Sequence, residues 1–374
     1  MIIILYKFEE INMKNLFICI IICLPMFFTA CYPTGEKKSS KQGETDISSL
    51  DKRVSFMYNI PNEYPETINW IECEPMLFED VDMEGLFFGD DKGNYWKEIH
   101  DQSGVLPSGE YYHLYAKGET DNTLVYDAGS IMYTSASSYD RSYIIYASYY
   151  NERCTQEHMR EIFPDNELEN FSSGSAITYA NDLIHKIGIN NTFTPEVYAI
   201  NNTSARNIES VDKFDQLKDW NDDYDAYMLV YTLEYQGVST MGAEVESTGN
   251  SFPTNASSKI IVIVSTDGLE FFQAENIMQQ TDINDTKKTI SPVAAVEALQ
   301  EYYSSLVIPQ GVSEIKIIGP ELRYILQFPN DTLDNGKLIP VWTFGEKKTK
   351  TVEDGSSISF YELKCIDASS GELY

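Results

Sequence analysis

Basic residues are scarce in this chain: 27 Lys and Arg stand against 58 Asp and Glu over 374 residues, a formal charge of −31 at pH 7. That imbalance repels nucleic acid and anionic lipid, so no nucleic-acid role is expected. It serves the solubility of a surface protein, and it would suit an envelope protein or a cationic peptide as partner. Histidine is rarer still, and His100, His113, His158 and His185 share no H-E-x-x-H or similar ligand spacing. Cysteine gives no framework either. Once Cys19, Cys23 and Cys31 are set aside, Cys73, Cys154 and Cys365 remain as an odd, widely spaced set that predicts buried free thiols rather than a disulfide scaffold or metal site. There is no G-x-S-x-G elbow, no G-x-x-x-x-G-K-[ST] loop and no G-x-G-x-x-G after a strand. No catalytic residue, metal ligand or cofactor is assigned, and the ligand-binding residues stay unknown.

What is present begins at the N-terminus. Met13-Lys14-Asn15 precedes an apolar run from Leu16 to Ala30, closed by Phe28-Thr29-Ala30-Cys31. The run is short of the roughly 20 residues of a membrane-spanning helix, and its positive start and small closing residues describe a secretory signal. A cysteine directly after the cut predicts a lipoprotein, with Cys31 carrying a fatty acyl group such as palmitate. Phe28 stands where Leu is usual, and an uncleaved anchor or plain secretion is the alternative. Phe8-Glu9-Glu10 places acids where a signal wants bases, so Met13 reads as the true start. Residues 31–50 are poor in large apolar side chains and read as a flexible tether. The expected address is the outer face of the cytoplasmic membrane, reached through the lipid.

The body is globular in composition. Residues 51–170 read as a strand-rich N-terminal domain, with Trp70 to Glu74, Tyr111 to Ala116, Thr123 to Tyr126 and Ser142 to Ser148 as strands. Ser175 to Ile187 then spaces Ile177, Ala180, Ile184 and Ile187 as one helix face, stopped by Gly188. A second helix starts at Ser291-Pro292, a cap followed by a tolerated first-turn proline, with Val293, Val296, Leu299, Tyr303 and Leu306 as its apolar face. Strands follow each helix in the same order. Leu229-Val230-Tyr231-Thr232-Leu233 matches Pro340-Val341-Trp342-Thr343-Phe344, and Ile260 to Val264 with its Thr266-Asp267-Gly268 turn matches Leu363 to Ile366 with Asp367 to Gly371. The order predicts an internal duplication: an α+β fold in which helix-on-antiparallel-sheet modules over 174–280 and 288–374 follow the front domain.

The tail residues Leu338-Ile339-Pro340-Val341-Trp342-Thr343-Phe344 and Ile366-Asp367-Ala368-Ser369-Ser370-Gly371-Glu372-Leu373 resemble the ending of PepSY-like domains. There a P-x-W-x-F strand precedes an I-D-A-x-T-G-E hairpin, and Ser370 replaces the Thr here. Duplicated modules of this kind also resemble the YycH/YycI-type proteins that restrain a membrane sensor kinase. The whole arrangement is similar to lipoprotein families of Clostridia-type Firmicutes. The resemblance implies the fold and an extracytoplasmic interaction role, and its motifs speak little to activity.

Three further features have bland readings that outweigh the functional ones. Asp219 to Asp225 resembles half a calcium loop but has Tyr224 where Gly is needed and Val230 where the closing Glu belongs, so it reads as a turn before a strand. Cys154 and His158 could share a helix face but lack further partners, and His185 reads as a polar-face residue. Tyr227, Tyr231 and Tyr235 alternate along a strand as core packing requires, and Trp342 is expected under the second helix. The functional expectation is an envelope interaction module for protein or peptide, more a binder than an enzyme. A solute- or glycan-binding lipoprotein is the alternative, and a hydrolase assembled by the fold comes third.

Overall fold

The computed structural model describes residues 50–58, 60–89, 95–101, 108–116, 122–141, 143–144, 147–148, 156–208, 220–242, 255–328, 333–352 and 355–374. The signal, nearly all of the tether, Cys31 and Cys154 lie outside the described residues. The chain is a strand-rich α+β fold. Among the described residues its strands form two sheets.

The first sheet contains β1 (Val54–Tyr58), β2 (Thr67–Pro75), β9 (Glu234–Tyr235), β10 (Val238–Thr240), β11 (Asn255–Ala256), β14 (Met278–Lys288), β15 (Val312–Gln327), β16 (Gly336–Thr351) and β17 (Ser357–Asp367). Its main path is β14-β2-β16-β15-β10-β9, with β17 also on β16, and β1 and β11 also on β15. The second contains β3 (Tyr95–Asp101), β4 (Glu110–Ala116), β5 (Thr123–Asp127), β6 (Ser130–Thr134), β7 (Glu196–Ile200), β8 (Ala226–Thr232), β12 (Lys259–Ser265) and β13 (Gly268–Glu275), antiparallel in the order β3-β4-β5-β6-β13-β12-β8-β7. Both sheets run across the boundary expected near residue 170. β1 and β2 join the first, and β6 pairs with β13 so that β3 to β6 extend the second. The apolar edges these strands would expose alone are thereby paired.

The helices are α1 (Met83–Phe88), α2 (Ala136–Asp140), α3 (Gln156–Ile162), α4 (Ser173–Ile187), α5 (Asn202–Asn207) and α6 (Pro292–Ser305). In α4 the Ser172 hydroxyl accepts from the Ser175 N–H, and Gly188 closes the helix with φ 95°, a conformation glycine adopts freely. Its buried residues are Ala176, Ala180, Leu183, Ile184 and Ile187, and it packs on β8 and β12. In α6 the Ser291 hydroxyl accepts from the Ala294 N–H, and Pro292 opens the first turn. Its buried face is Pro292, Ala295, Val296, Leu299 and Tyr303, whereas Val293 and Leu306 are exposed, so the expected stripe is rotated toward the smaller residues. After α4 come the antiparallel neighbours β7-β8-β12-β13, with β9, β10 and β11 passing into the first sheet between β8 and β12, and after α6 comes the antiparallel meander β15-β16-β17.

Ser142 to Ser148 differs from its expected strand. Its described residues Tyr143, Ile144, Ala147 and Ser148 are helical and buried, and the spacing i, i+1, i+4, i+5 is one helix face. Their apolar members join Met159, Phe163, Met228, Ile261 and Ile263 on one face of the second sheet. The opposite face, with Tyr227, Leu229, Tyr231 and Val262, packs with α4 and with Ile71, Tyr324 and Leu338 of the first sheet. The sheets are pinned where the β5–β6 turn meets the first sheet. The Gly129 N–H donates to the Met76 carbonyl at 2.7 Å, and the Ile277 N–H donates to the Gly129 carbonyl at 2.8 Å. A Cβ on Gly129, whose φ is 75°, would lie 3.0 Å from the Ile277 oxygen.

Trp342 is fully buried with Val296, Leu299, Tyr303 and Phe344 beneath α6. Its indole Nε1–H donates to the Ile290 carbonyl at 3.2 Å. The motif after it is a local turn, in which Asp367 Oδ1 accepts from the Ser369 and Ser370 N–H groups at 2.7 and 2.8 Å.

Candidate functional site: a cleft between the two sheets

Strand β15 carries an irregularity that decides what faces the cleft. Ile318 opposes Gly345 and Glu321 opposes Thr343, so β15 spends one residue more than β16 across that step. Before it, Ile315 and Ile317 lie under α6; after it, Leu322 and Tyr324 take the inward positions, and Glu321 and Arg323 turn to the opposite face. Gly319, at the bulge, admits no side chain, because a Cβ there would lie 2.7 Å from the Thr343 carbonyl oxygen.

That opposite face and the Tyr198–Val230 face of the second sheet enclose a cleft of about 690 Å³, with α3 at its side. A volume in the range of about 300–1,000 Å³ is typical of small-ligand sites. One wall holds Ser239, Glu321, Arg323, Thr343, Lys347 and Leu363; the other holds Glu196, Tyr198, Val230 and Thr232, with Met159 and Arg160 from α3. Thr232 and Thr343 occupy the same place in the two matched strands, and both line it. Glu346 lines it as well. Its buried carboxylate accepts from the Tyr303 hydroxyl on the α6 side and lies 2.8 Å from Lys348 Nζ.

The charged side chains are held from behind. Arg323 donates to Glu321 Oε2 at 2.8 Å and to the Ser239 hydroxyl. Arg160 donates to the Val197 carbonyl at 2.8 Å, with its guanidinium carbon 4.4 Å from the centre of the Tyr198 ring, a cation–π geometry. The Tyr198 hydroxyl donates to Glu196. Glu161 accepts from Lys347 Nζ at 2.6 Å and from the Tyr361 hydroxyl at 2.7 Å, and so ties α3 to the β16–β17 hairpin. Burial works against the charge on Lys347, but its bonds to Glu161 and Tyr361 outweigh that and raise its pKa. These anchors leave guanidinium N–H groups of both arginines available to a guest.

Residues singled out by the sequence lie elsewhere or have structural partners. His158 belongs to α3, but its side chain is outside the described residues, as is Cys154. His185 Nδ1 faces Asn190 Oδ1 at 2.9 Å on the exposed side of α4. His113 is buried, and burial lowers its pKa. His100 lies beside Tyr111. The acidic run ends in a short 3-10 turn, Asp222–Tyr224, after which Asp225 accepts from the Trp220 indole at 2.9 Å. Among the described residues no group of three or more His, Cys, Asp or Glu is placed to hold a metal ion. Cys73 and Cys365 are free and buried, and burial pushes both thiols up to about 12, so both are protonated rather than nucleophilic. Tyr227, Tyr231 and Tyr235 are buried.

A second buried carboxylate lies apart from the cleft. Glu270 accepts from Ser135 and Ser265 at 2.7 and 2.6 Å, from Ser137 and Ser138, and from Arg141 at 3.1 Å. Every oxygen of that cluster is engaged within the fold, as a buried charge requires.

The cleft residues escape sequence reasoning because they span positions 159 to 363 and share no local spacing. The available signal is Gly319-Pro320 inside an apolar strand, which marks a bulge and a change of facing residues. No protein-family model matches the chain, and no curated protein matches it. Among solved structures it is similar to the crystal structure of an uncharacterized protein from Eubacterium rectale ATCC 33656, with a TM-score of 0.62 and 14% identity, covering 87% of this chain and 91% of that one. That likeness shows the fold alone.

Proposed function

We propose that this chain is a lipid-anchored binding protein of the cell envelope, without enzymatic activity, that holds a short peptide segment in the cleft between its sheets. The observation that carries the reading is the cleft's charge balance. In a chain with 58 acids and 27 bases, the side chains facing it include Arg160, Arg323 and Lys347 against Glu196 and Glu321. A site balanced against the surrounding surface suits a guest carrying both signs, as a peptide with charged termini or side chains does. The acidic surface around it would draw in the guest's cationic end. Anchoring of the cleft charges within the fold, Arg323 by Glu321 and Ser239, Arg160 by the Val197 carbonyl and Lys347 by Glu161, pre-organises the site, which lowers the ordering cost of binding.

Lipidation at Cys31 and a location outside the cytoplasmic membrane complete the reading, supported by the Leu16 to Ala30 run and the Ala30-Cys31 junction. Among the described residues no helix is long and apolar enough to cross a membrane. The shared order of helix and antiparallel strands in the two halves supports reading them as copies of one PepSY-like module, with Thr232 and Thr343 as equivalent contributions to one site.

The cleft is tested by thermal-shift screening of the Cys31→Ser chain against mixed-charge dipeptides, singly charged amino-acid derivatives and neutral oligosaccharides. Mixed-charge dipeptides should raise Tm, and Arg323→Ala should abolish the rise. A rise with oligosaccharides and none with peptides would reject the peptide reading. Metabolic labelling with a fatty acid tests the anchor, and an unlabelled wild type would overturn it.

A further inference from the structure

Beyond the cleft, the loop between α4 and β7 forms a wall with a second cavity behind it, of about 310 Å³. Phe193 and Thr194 line both spaces. The wall is fixed, because the Phe193 N–H donates at 3.0 Å to the carbonyl of Thr232, itself a cleft residue. The chemistry changes across it. The main cleft presents charged groups of both signs, whereas among the described residues the lining of the second cavity holds no Lys, Arg, Asp or Glu. Its polar members are Asn181, His185, Asn190, Thr192 and Thr194, beside isoleucines of α4 and of the loop.

We propose that this cavity is a second subsite, which takes an uncharged, amide- or hydroxyl-bearing continuation of the peptide whose charged part occupies the cleft. The inference rests on the cleft reading. The polar groups are part satisfied and part available. Asn181 Oδ1 already accepts from the Tyr231 hydroxyl at 2.9 Å, which fixes its amide and leaves the NH2 for a guest carbonyl. Asn190 donates to the Gly188 carbonyl at 2.9 Å and faces His185 Nδ1, which leaves His185 Nε2 as the outward group. An anchored amide NH2 and an imidazole nitrogen on one face of α4 match the alternating carbonyl and N–H groups of an extended peptide, or the amide of an Asn or Gln side chain. A charged continuation would find no counter-ion in the lining and would lose hydration without compensation.

Titration calorimetry with a peptide series on the Cys31→Ser chain tests this. The series runs from a mixed-charge dipeptide to the same dipeptide extended by Gln-Ser-Asn, and to a control extended by three Asp. The neutral extension should tighten binding roughly tenfold, about 1.4 kcal/mol, which one or two neutral hydrogen bonds can supply. Asn181→Ala with His185→Ala should remove that gain and leave dipeptide affinity within about twofold, because both residues are exposed and lie outside the main cleft. Equal affinity for short and extended peptides, or a gain that survives the double substitution, overturns the subsite while the cleft reading stands. A gain equal for the Asp extension overturns its neutral character. Absence of binding by every peptide overturns both.

Discussion

Tyr231 and Trp342 hold the same place in the two matched strands and are buried alike, yet the sheets around them are used differently. Tyr231 lies in a sheet covered on both faces, by α4 and the shared core on one side and by Tyr143, Met159 and Phe163 on the other. Trp342 lies in a sheet whose one face is sealed by α6 and whose other face opens on the cleft at Thr343 and Lys347. The aromatic therefore serves packing in both halves. What distinguishes them is the face behind it: in the first half most of that face is covered and only its end at Val230 and Thr232 reaches the cleft, whereas in the second half it opens on the cleft at Thr343 and Lys347.

The comparison is broken most forcefully at the aromatic itself. Trp342→Ala should cost about 3–5 kcal/mol in urea unfolding, as large-to-small changes at buried aromatics do, and an unchanged midpoint would remove Trp342 from the core. The junction of the two sheets should respond to pH. Burial alone pushes the Asp127 carboxyl up to about 7 from its ordinary 3.8, so its ionised form opposes folding. Stability should then fall as pH rises from about 4 to 7 and stay at the lower level above that, since the folded state holds a proton the unfolded chain has released. Asp127→Asn should match wild type near pH 4 and exceed it by about 4 kcal/mol at pH 8; equal stability at both would deny the burial. The smallest effect sharpens the contrast between the aromatics. Tyr231→Phe deletes only the bond to Asn181 and should cost about 1 kcal/mol, and a loss as large as that of Trp342→Ala would mean the first half depends on that hydroxyl.

Much of this frame is legible in the residues. Gly188 and Ser291 with Pro292 mark helix ends in the sequence because caps are local chemistry, whereas the first long helix starts at Ser173 behind a Ser172 cap, two residues before the expected Ser175. The Pro340 to Phe344 alternation places Trp342 correctly because strand period is also local. Two kinds of error remain. Val293 and Leu306 are exposed because the packed face of α6 is chosen by the sheet beneath it, which prefers Ala295 near the first turn. Tyr143, Ile144, Ala147 and Ser148 are helical because the apolar residues of this segment satisfy either period over so short a span, and tertiary packing decides. The cleft was not legible. Arg160, Glu196, Arg323 and Lys347 are ordinary charged residues until a bulge in β15 and the meeting of two sheets bring them to one space.

Hydrogen exchange read by mass spectrometry, with and without a mixed-charge peptide, tests the cleft most directly. Binding should slow exchange in β7, the end of β8, β15 near Arg323 and β16 near Lys347, and leave β3 to β6 unchanged. Protection confined to the exposed β3 edge around Trp96 and Ile99, or to α6, with the cleft strands unaffected, would contradict the assignment of function to the space between the sheets.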